Sequence, residues 1–425
     1  MVEFTNYKLE LQLEAQMPMI HFQSAQCGAT LRASEVKPKL DRFILESICR
    51  TMGKTIKQLK EDSEYKGFFL DADSDNNDAL DYKLQITVMQ PPTEIDLGSK
   101  EGNYSIYYGN MGKEPSEKIY GIFSEPLVTV ICFKPQLRKY IQENIVKFFL
   151  TTNFGTMQNK GFGSFAPASW LPEGKLTVDK KAEVAKAYGE LIPGCHCYAM
   201  EFEYPKRFLN VAERNAFCVK MSEEIKTFYS IMKSGQNRGK GNYARSFIYQ
   251  YMHDKLHLGN EKAWMKQNNI APAISKPENE GRWMYPQGDT HYYVRAFLGI
   301  GEKIEFGSAY NDRGFITAKK KVEIKSKEFE RISSPIYFKV LANVVFIVGF
   351  EIPEELYDAE FNFKGEWKRV NMNLSTPSKE ALAATGFKFD IQDFLDEYVK
   401  YFNGNLRKED LPRINKSPKV VRINA

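Results

Sequence analysis

The sequence has little that would mark a membrane span, a disulfide framework or a metal centre. Its longest apolar run, Val344–Phe350, falls far short of the roughly 20 apolar residues a spanning helix needs. The opening stretch MVEFTNYKLELQLEA alternates charged and apolar residues like a strand and does not read as a secretory leader. The expectation is a cytoplasmic chain with no membrane partner. Cysteine is sparse: the six residues Cys27, Cys49, Cys132, Cys195, Cys197 and Cys218 are scattered, several of them inside apolar runs. That pattern suits reduced, buried thiols. Cys195, His196 and Cys197 stand too close together for the common zinc patterns, and no second Cys/His pair lies at a matching distance, so no metal is expected. A Walker-type phosphate loop and a nucleophile elbow are both missing, and GIGEKIEFG at Gly299–Gly307 is a poor match to a dinucleotide fingerprint. No cofactor is expected either. Charge of one sign is not in excess: 59 Lys+Arg against 54 Asp+Glu leave +5, which permits an anionic partner without demanding one.

What is present is a globular chain of 425 residues, 43% hydrophobic and 27% charged, a length that fits two domains or slightly more. Residues Tyr7–Leu13 alternate with period two, the mark of a half-buried strand. Pro38 stands where a first helical residue would, ahead of a run in which Leu40, Phe43, Ile44 and Ile48 share one face and Gly53 can close the helix. YKLQITVM (82–89) and LVTVICF (127–133) read as strands, the segment opened by Pro135 as a helix, and FAPASWL (165–171) as a final strand. The order is βαββαβ, that of the ferredoxin-like, RRM-like fold. After a polar spacer, PEGKLTVDKKAEV (172–184), the pattern loosely recurs. CYAMEFEYP (197–205) reads as a strand and the run from Val211 as a helix. ISSPIYFKVL and NVVFIVGFEI read as a hairpin turning near Ala342-Asn343, and a late helix closes at Gly404. The fold class is therefore α+β, with tandem ferredoxin-like domains at 1–175 and 195–404 and a basic, partly disordered tail at 405–425.

Four segments carry chemistry. NFGTMQNKGFGSF (153–165) has glycines that let backbone approach a ligand, amides that can bind anions, Lys160 as a point charge, and phenylalanines able to stack. It can equally be a connector whose phenylalanines anchor it to the sheet. LRASEVKPKLDR (31–42) sets Arg32, Lys37, Lys39 and Arg42 at a helix amino terminus, where anions are favoured; a solvated helix face is the alternative. GQNRGKGNYAR (235–245) places Arg238, Lys240 and Arg245 around Tyr243, a combination suited to a single-stranded backbone with base stacking. KKKVEIKSK (319–327) suits a strand with one basic face or an edge strand guarded by lysines.

The pairing of HFQSAQCGATLRASEVKPKLDRFI (21–44) with the later NKGFGSF resembles the RAMP superfamily of CRISPR-associated proteins. RISSPIYFKV, beginning at Arg331, is similar to an Arg-x-x-Ser-Pro strand in the first RAMP subunit of the type III-B complex. The resemblance implies ferredoxin-like RNA-recognition folds and a subunit of an RNA-guided effector complex in antiviral defence, holding CRISPR RNA or target RNA beside other RAMP subunits. It implies that Lys160, Gly161, Phe162, Gly163 and Ser164 line the RNA groove, faced by Arg32, Lys37 and Lys39. Two departures stand out: the glycine loop carries a single basic residue, and the span before Tyr82 is long and acidic.

Enzymatic readings rest on fewer residues. Some RAMP relatives cleave precursor RNA with a histidine base, and His21, just past the first strand, occupies a position for one; packing beside Phe22 is the structural alternative. His253 and His257 share a helix face but have no third ligand in view. In DADSDNNDALD (71–81), Asp71, Asp73 and Asp75 match the first ligand positions of an EF-hand loop, while the turn glycine and the bidentate glutamate are missing. Asp73 or Asp75 could serve as a cutting aspartate, but nothing selects them. The reading favoured is a binding subunit rather than an enzyme.

Overall fold

A computed structural model describes residues 3–21, 30–74, 76–97, 104, 119–204, 208, 210–237, 243–259, 261–272, 291–301, 303–310, 316–329, 332–405 and 417–424. In the first half, strand β1 (Lys8–Ala15) turns Leu9, Leu11, Leu13 and Ala15 inward and its polar residues outward, as its alternation predicts. Helix α1 (Ala33–Met52) buries Val36, Leu40, Phe43, Ile44 and Ile48, and Gly53 at φ 63° ends it in the left-handed conformation. The helix starts before Pro38, not at it. The proline removes one backbone donor in the second turn, on an exposed face where water can satisfy the freed Ser34 carbonyl.

A short helix α2 (Ile56–Glu61), capped reciprocally by Thr55 and Gln58, leads to β2 (Lys83–Val88). A small hairpin, β3 (Thr93–Asp96) with β4 (Tyr120–Phe123), precedes β5 (Pro126–Ile131), α3 (Pro135–Thr151) and β6 (Phe165–Pro167). The main sheet runs β2-β5-β1-β6, every pair antiparallel. Helices α1 and α3 pack together, with the Phe43 and Phe148 rings 5.6 Å apart.

The second half of the polar spacer begins a helix, α4 (Val178–Leu191). Thr177 caps it, and its Val184 and Tyr188 are buried, the Tyr188 hydroxyl reaching the Thr151 carbonyl at 3.2 Å. Strand β7 (Cys197–Glu201) and helix α5 (Val211–Lys233) open the second half. A two-residue ribbon, β8 (Gln236–Asn237) with β9 (Tyr243–Ala244), leads to α6 (Phe247–Leu256) and α7 (Glu261–Gln267). Next come β10 (Lys303–Tyr310), β11 (Ile316–Lys325), β12 (Ile336–Leu341), β13 (Val344–Gly349), β14 (Glu360–Gly365) and β15 (Asn371–Ser375). Helices α8 (Lys379–Ala383) and α9 (Ile391–Gly404) and strand β16 (Val420–Ile423) complete the chain.

Strands β12 and β13 form the expected hairpin, turning at Ala342 with φ 48°. Their sheet runs β12-β13-β7-β16 and is also antiparallel throughout. Leaving insertions aside, both main sheets place the first strand between the third and the fourth, with the second at the edge. A further antiparallel sheet runs β10-β11-β14-β15. The lysine-rich strand β11 is therefore interior to its sheet, and the edge-strand alternative is set aside. The end of the basic tail is an ordered strand on β7, held by the Asn403 side chain, which bonds both the carbonyl and the amide of Val420. One apolar core runs through both halves, joining Phe148, Phe154 and Phe165 to Phe228, Phe338 and Val340. Among the described residues, no helix is long and apolar enough to cross a membrane.

Candidate nucleic-acid interface

The glycine-rich loop follows α3 and crosses the seam between the two halves. Gly155, Gly161 and Gly163 take positive φ of 76°, 87° and 63°, the freedom the sequence points to. The close approach they permit is to the chain itself. A Cβ on Gly155 would strike the Ile20 carbonyl, and one on Gly163 the Phe154 carbonyl. The loop amides are largely occupied. Gly155 N–H donates to Glu35 Oε1 at 2.7 Å, Thr156 N–H to the Ile20 carbonyl at 2.8 Å, and Gly163 N–H to the Pro18 carbonyl at 3.0 Å. Glu35, on the first turn of α1, thus takes the place an external anion would have had.

The other side of the loop faces β12. Asn153 Nδ2 donates to the Phe338 carbonyl at 2.8 Å and Ser164 Oγ to the Val340 carbonyl at 2.6 Å. Asn159 Nδ2 donates to the Ser334 carbonyl at 3.1 Å, within the Arg-x-x-Ser-Pro segment. From β12, the fully buried Lys339 reaches back, its Nζ donating to the Thr152 carbonyl at 2.7 Å and the Phe165 carbonyl at 3.1 Å. Burial first, then the neighbouring Lys39, holds this amine well below the usual lysine range. The sequence reading missed Lys339, although a single cation inside the otherwise apolar IYFKVL was a signal.

Phe154, Phe162 and Phe165 are buried core residues, and Ser164 is fully enclosed. Lys160 keeps its stem partly exposed, but its Nζ is enclosed against the Tyr229 and Phe338 rings and has no hydrogen-bond partner. Burial first, then the neighbouring Lys233, holds that amine well below the usual lysine range. Burial and Arg295 likewise pull Lys233 down to about 7, against the opposing pull of Glu261. Its Nζ donates to the Gly299 carbonyl at 2.7 Å. Lys160, Gly161, Phe162, Gly163 and Ser164 therefore brace the two halves; the expectation that they line an open groove is corrected. The phenylalanines fill the core, and the Lys160, Gly161 and Gly163 amides donate to the Met157, Gln158 and Pro18 carbonyls.

The cations of α1 divide. Lys37 is tied to Asp41 at 2.7 Å and to the Leu80 carbonyl at 2.9 Å, over the Tyr82 ring. Lys39 bridges Glu35, the Asn153 carbonyl and Gln158 Oε1 at 3.0–3.1 Å, clamping the glycine loop. Both serve the interior. Arg32, at the helix start, is exposed, and the Arg42 side chain is 79% exposed with a 2.7 Å bond to Glu46. Arg238, Lys240 and Arg331 lie outside the described residues, as does the Tyr243 side chain, whose backbone belongs to β9. Arg245 is half-buried, its guanidinium 5.5 Å from the Tyr249 ring centre.

Three sequence segments thus meet at the seam, with the end of α5 beside them. The start of α1 holds the glycine loop, and the loop holds Ser334 and Phe338. Lys233, two residues before the Gly235 loop, bonds Gly299, and the adjoining Ile300 amide bonds the Ile332 carbonyl.

His21 is buried beside Arg32 and Glu35, and its imidazole is lowered by burial first and Arg32 second. His253 stacks on Tyr249 with its Nδ1 2.7 Å from the Leu258 carbonyl, and His257 is the left-handed cap of α6, so the two are not a ligand pair. Among the described residues, no group of three His, Cys, Asp or Glu could hold a metal. The acidic loop winds around a cation of its own chain. Lys60 Nζ donates to the Ser74 and Asn77 carbonyls at 2.7 and 3.1 Å and pairs with Asp78 at 2.7 Å. Asp73 pairs with Lys66 at 2.8 Å, and Asp75 lies outside the described residues.

Two family models match the chain in succession. The family model for the Cmr1 N-terminal domain matches residues 6–236, and that for the Cmr1 C-terminal domain matches residues 243–419. The crystal structure of apo Cmr1 from Pyrococcus furiosus is similar over 82% of this chain and 88% of that one, with 11% identity and a TM-score of 0.41. No curated protein matches. With its two halves matched in order by the two domain models, the chain belongs to the Cmr1 family, RAMP subunits of the type III-B CRISPR effector complex.

Proposed function

We propose that the chain is an RNA-binding, non-catalytic subunit that holds CRISPR RNA or captured target RNA along the seam between its halves. The observation that carries this reading is the convergence there of the α1 start, the glycine loop, the carboxyl end of α5 at Lys233 and the segment around Ser334. In this reading the loop is a brace beneath the RNA. The exposed Arg32 and Arg42 contact phosphates, and Arg238, Lys240, Tyr243, Arg245 and Arg331 extend the same track. The shared strand order of the main sheets supports two ferredoxin-like units, one at about 1–175 and one that begins near 195 and runs past 404 to take its fourth strand from Val420–Ile423. His21, 6% exposed, offers little surface to a 2′-hydroxyl, which favours binding over cleavage.

The occupied loop amides give one observation to a second reading, a scaffold subunit that binds no RNA. Filter binding of single-stranded RNA from 50 to 300 mM salt separates the two. The proposal requires affinity that falls steeply with salt; weak binding indifferent to salt supports the scaffold. Cleavage of repeat RNA abolished by His21→Ala would overturn the non-catalytic part.

A further inference from the structure

We propose that the basic end of the sheet β10-β11-β14-β15, around Trp367, is a second nucleic-acid contact and takes an extended single-stranded segment. The apolar side of this sheet is already covered. The ring centres of Phe361 and Phe363 lie 5.3 and 5.0 Å from that of Tyr293, and Gly365 lies against the Ile270 carbonyl. Past that core, the 366–369 turn between β14 and β15 is laid beside β11. Glu366 N–H donates to the Lys321 carbonyl at 3.1 Å, and Lys321 N–H donates to Glu366 Oε2 at 3.0 Å. This double contact brings the exposed Trp367, Lys368 and Arg369 beside the exposed Lys319, Lys320 and Lys321.

The charges there do not balance. Lys319 pairs with Glu305 at 2.7 Å, and the Glu366 carboxylate is engaged by the Lys321 amide. Among the described residues, the side chains of Lys320, Lys321, Lys368 and Arg369 form no ion pair. That excess selects a partner with several negative charges. Trp367 is 39% exposed. Among the described residues, its ring meets no other aromatic ring or cation, and its indole N–H has no partner. A bare aromatic face among cations suits a single strand, whose phosphates meet the lysines while a base stacks on the indole. An acidic protein segment would satisfy the cations and leave the indole without a flat partner. A duplex keeps its bases stacked inside. The lysine-rich β11 thus gains a role that does not rest on the seam, and neither Arg32 nor Arg42 belongs to it.

The test uses the full chain with short oligo(U) and oligo(dT), and poly-glutamate as the acidic-protein control. Trp367→Ala should weaken binding of the oligonucleotides by about fivefold or more. Lys320→Gln/Lys368→Gln should flatten the plot of log affinity against log salt by about 1.4, at roughly 0.7 per contact. Arg369 adopts φ 56°, a conformation glycine takes without strain, so Arg369→Gly should weaken binding while the melting temperature holds. The same losses should appear when Arg32→Ala/Arg42→Ala is already present, which separates failure here from failure of the seam reading. The tighter of the two oligonucleotides identifies the strand as RNA or DNA. Oligonucleotide binding unchanged by all three variants, or poly-glutamate that binds as tightly and is lost equally in Trp367→Ala, overturns the proposal.

Discussion

Two lysines buried at the same seam should respond to the same substitution with opposite sign. Lys160 ends in an amine with no partner, and Lys339 ends in one that bonds two buried carbonyls. Burying a polar group without a hydrogen bond costs about 1–3 kcal/mol. Lys160→Met keeps the length and packing of the stem and removes that cost. The contact with Tyr229 is worth about 0.5–2 kcal/mol for a charged amine, and burial disfavours that charge. The expected net effect is a gain of about 1 kcal/mol. Lys339→Met leaves the Thr152 and Phe165 carbonyls unpaired at about 1–3 kcal/mol each. Partly offset by the relief of burying an amine, the expected loss is about 2 kcal/mol or more.

The pH dependence follows with the same logic. A lysine lowered in the folded state binds fewer protons there than when unfolded, so stability rises with pH between the folded and unfolded values. For Lys233 that window runs from about 7 to its ordinary 10.5. Lys160→Met should flatten the alkaline rise in melting temperature. Calorimetric melting at pH 7, 8 and 9 reads all of this, at roughly 2 °C per kcal/mol or less for a chain this long. A fall in melting temperature for Lys160→Met, or no change for Lys339→Met, refutes the assignment of their partners.

Gly163→Ala forces a side chain into the Phe154 carbonyl at positive φ, and should lower the melting temperature by several degrees while leaving the helical circular-dichroism signal intact. Lys60→Met takes the cation out of the acidic loop; it should destabilise the chain by about 1–3 kcal/mol, read as a lower melting temperature. Arg42→Glu reverses an exposed charge and should weaken RNA binding in filter assays while leaving the melting temperature within about 1 °C.

Regular elements were the most legible part of the chain. Period-two alternation in YKLELQL and helical spacing of Leu137, Ile141, Ile145 and Phe148 each follow from one buried face, which is a local property. The hairpin at 336–349 was legible because a continuous apolar run leaves few other fates. What the sequence could not show is pairing across long separations. Glycines, amides and phenylalanines in 153–165 fit a ligand cradle and an internal brace equally well. The choice turns on β12, about 180 residues away, and on Glu35, which occupies a loop amide. Helix α4 hid in a polar stretch because only Val184, Ala185, Ala187 and Tyr188 face the core. The α1 cations looked alike in sequence, yet Lys37 and Lys39 are drawn inward by Asp41 and Glu35, one turn away from each, while Arg32 and Arg42 stay outside.

The most direct test of the RNA track is the salt dependence of single-stranded RNA binding by Arg32→Ala/Arg42→Ala beside the wild type. Two lost phosphate contacts should flatten the plot of log affinity against log salt by about 1.4, at roughly 0.7 per contact on a single strand. An unchanged slope and affinity would contradict the placement of RNA over these residues.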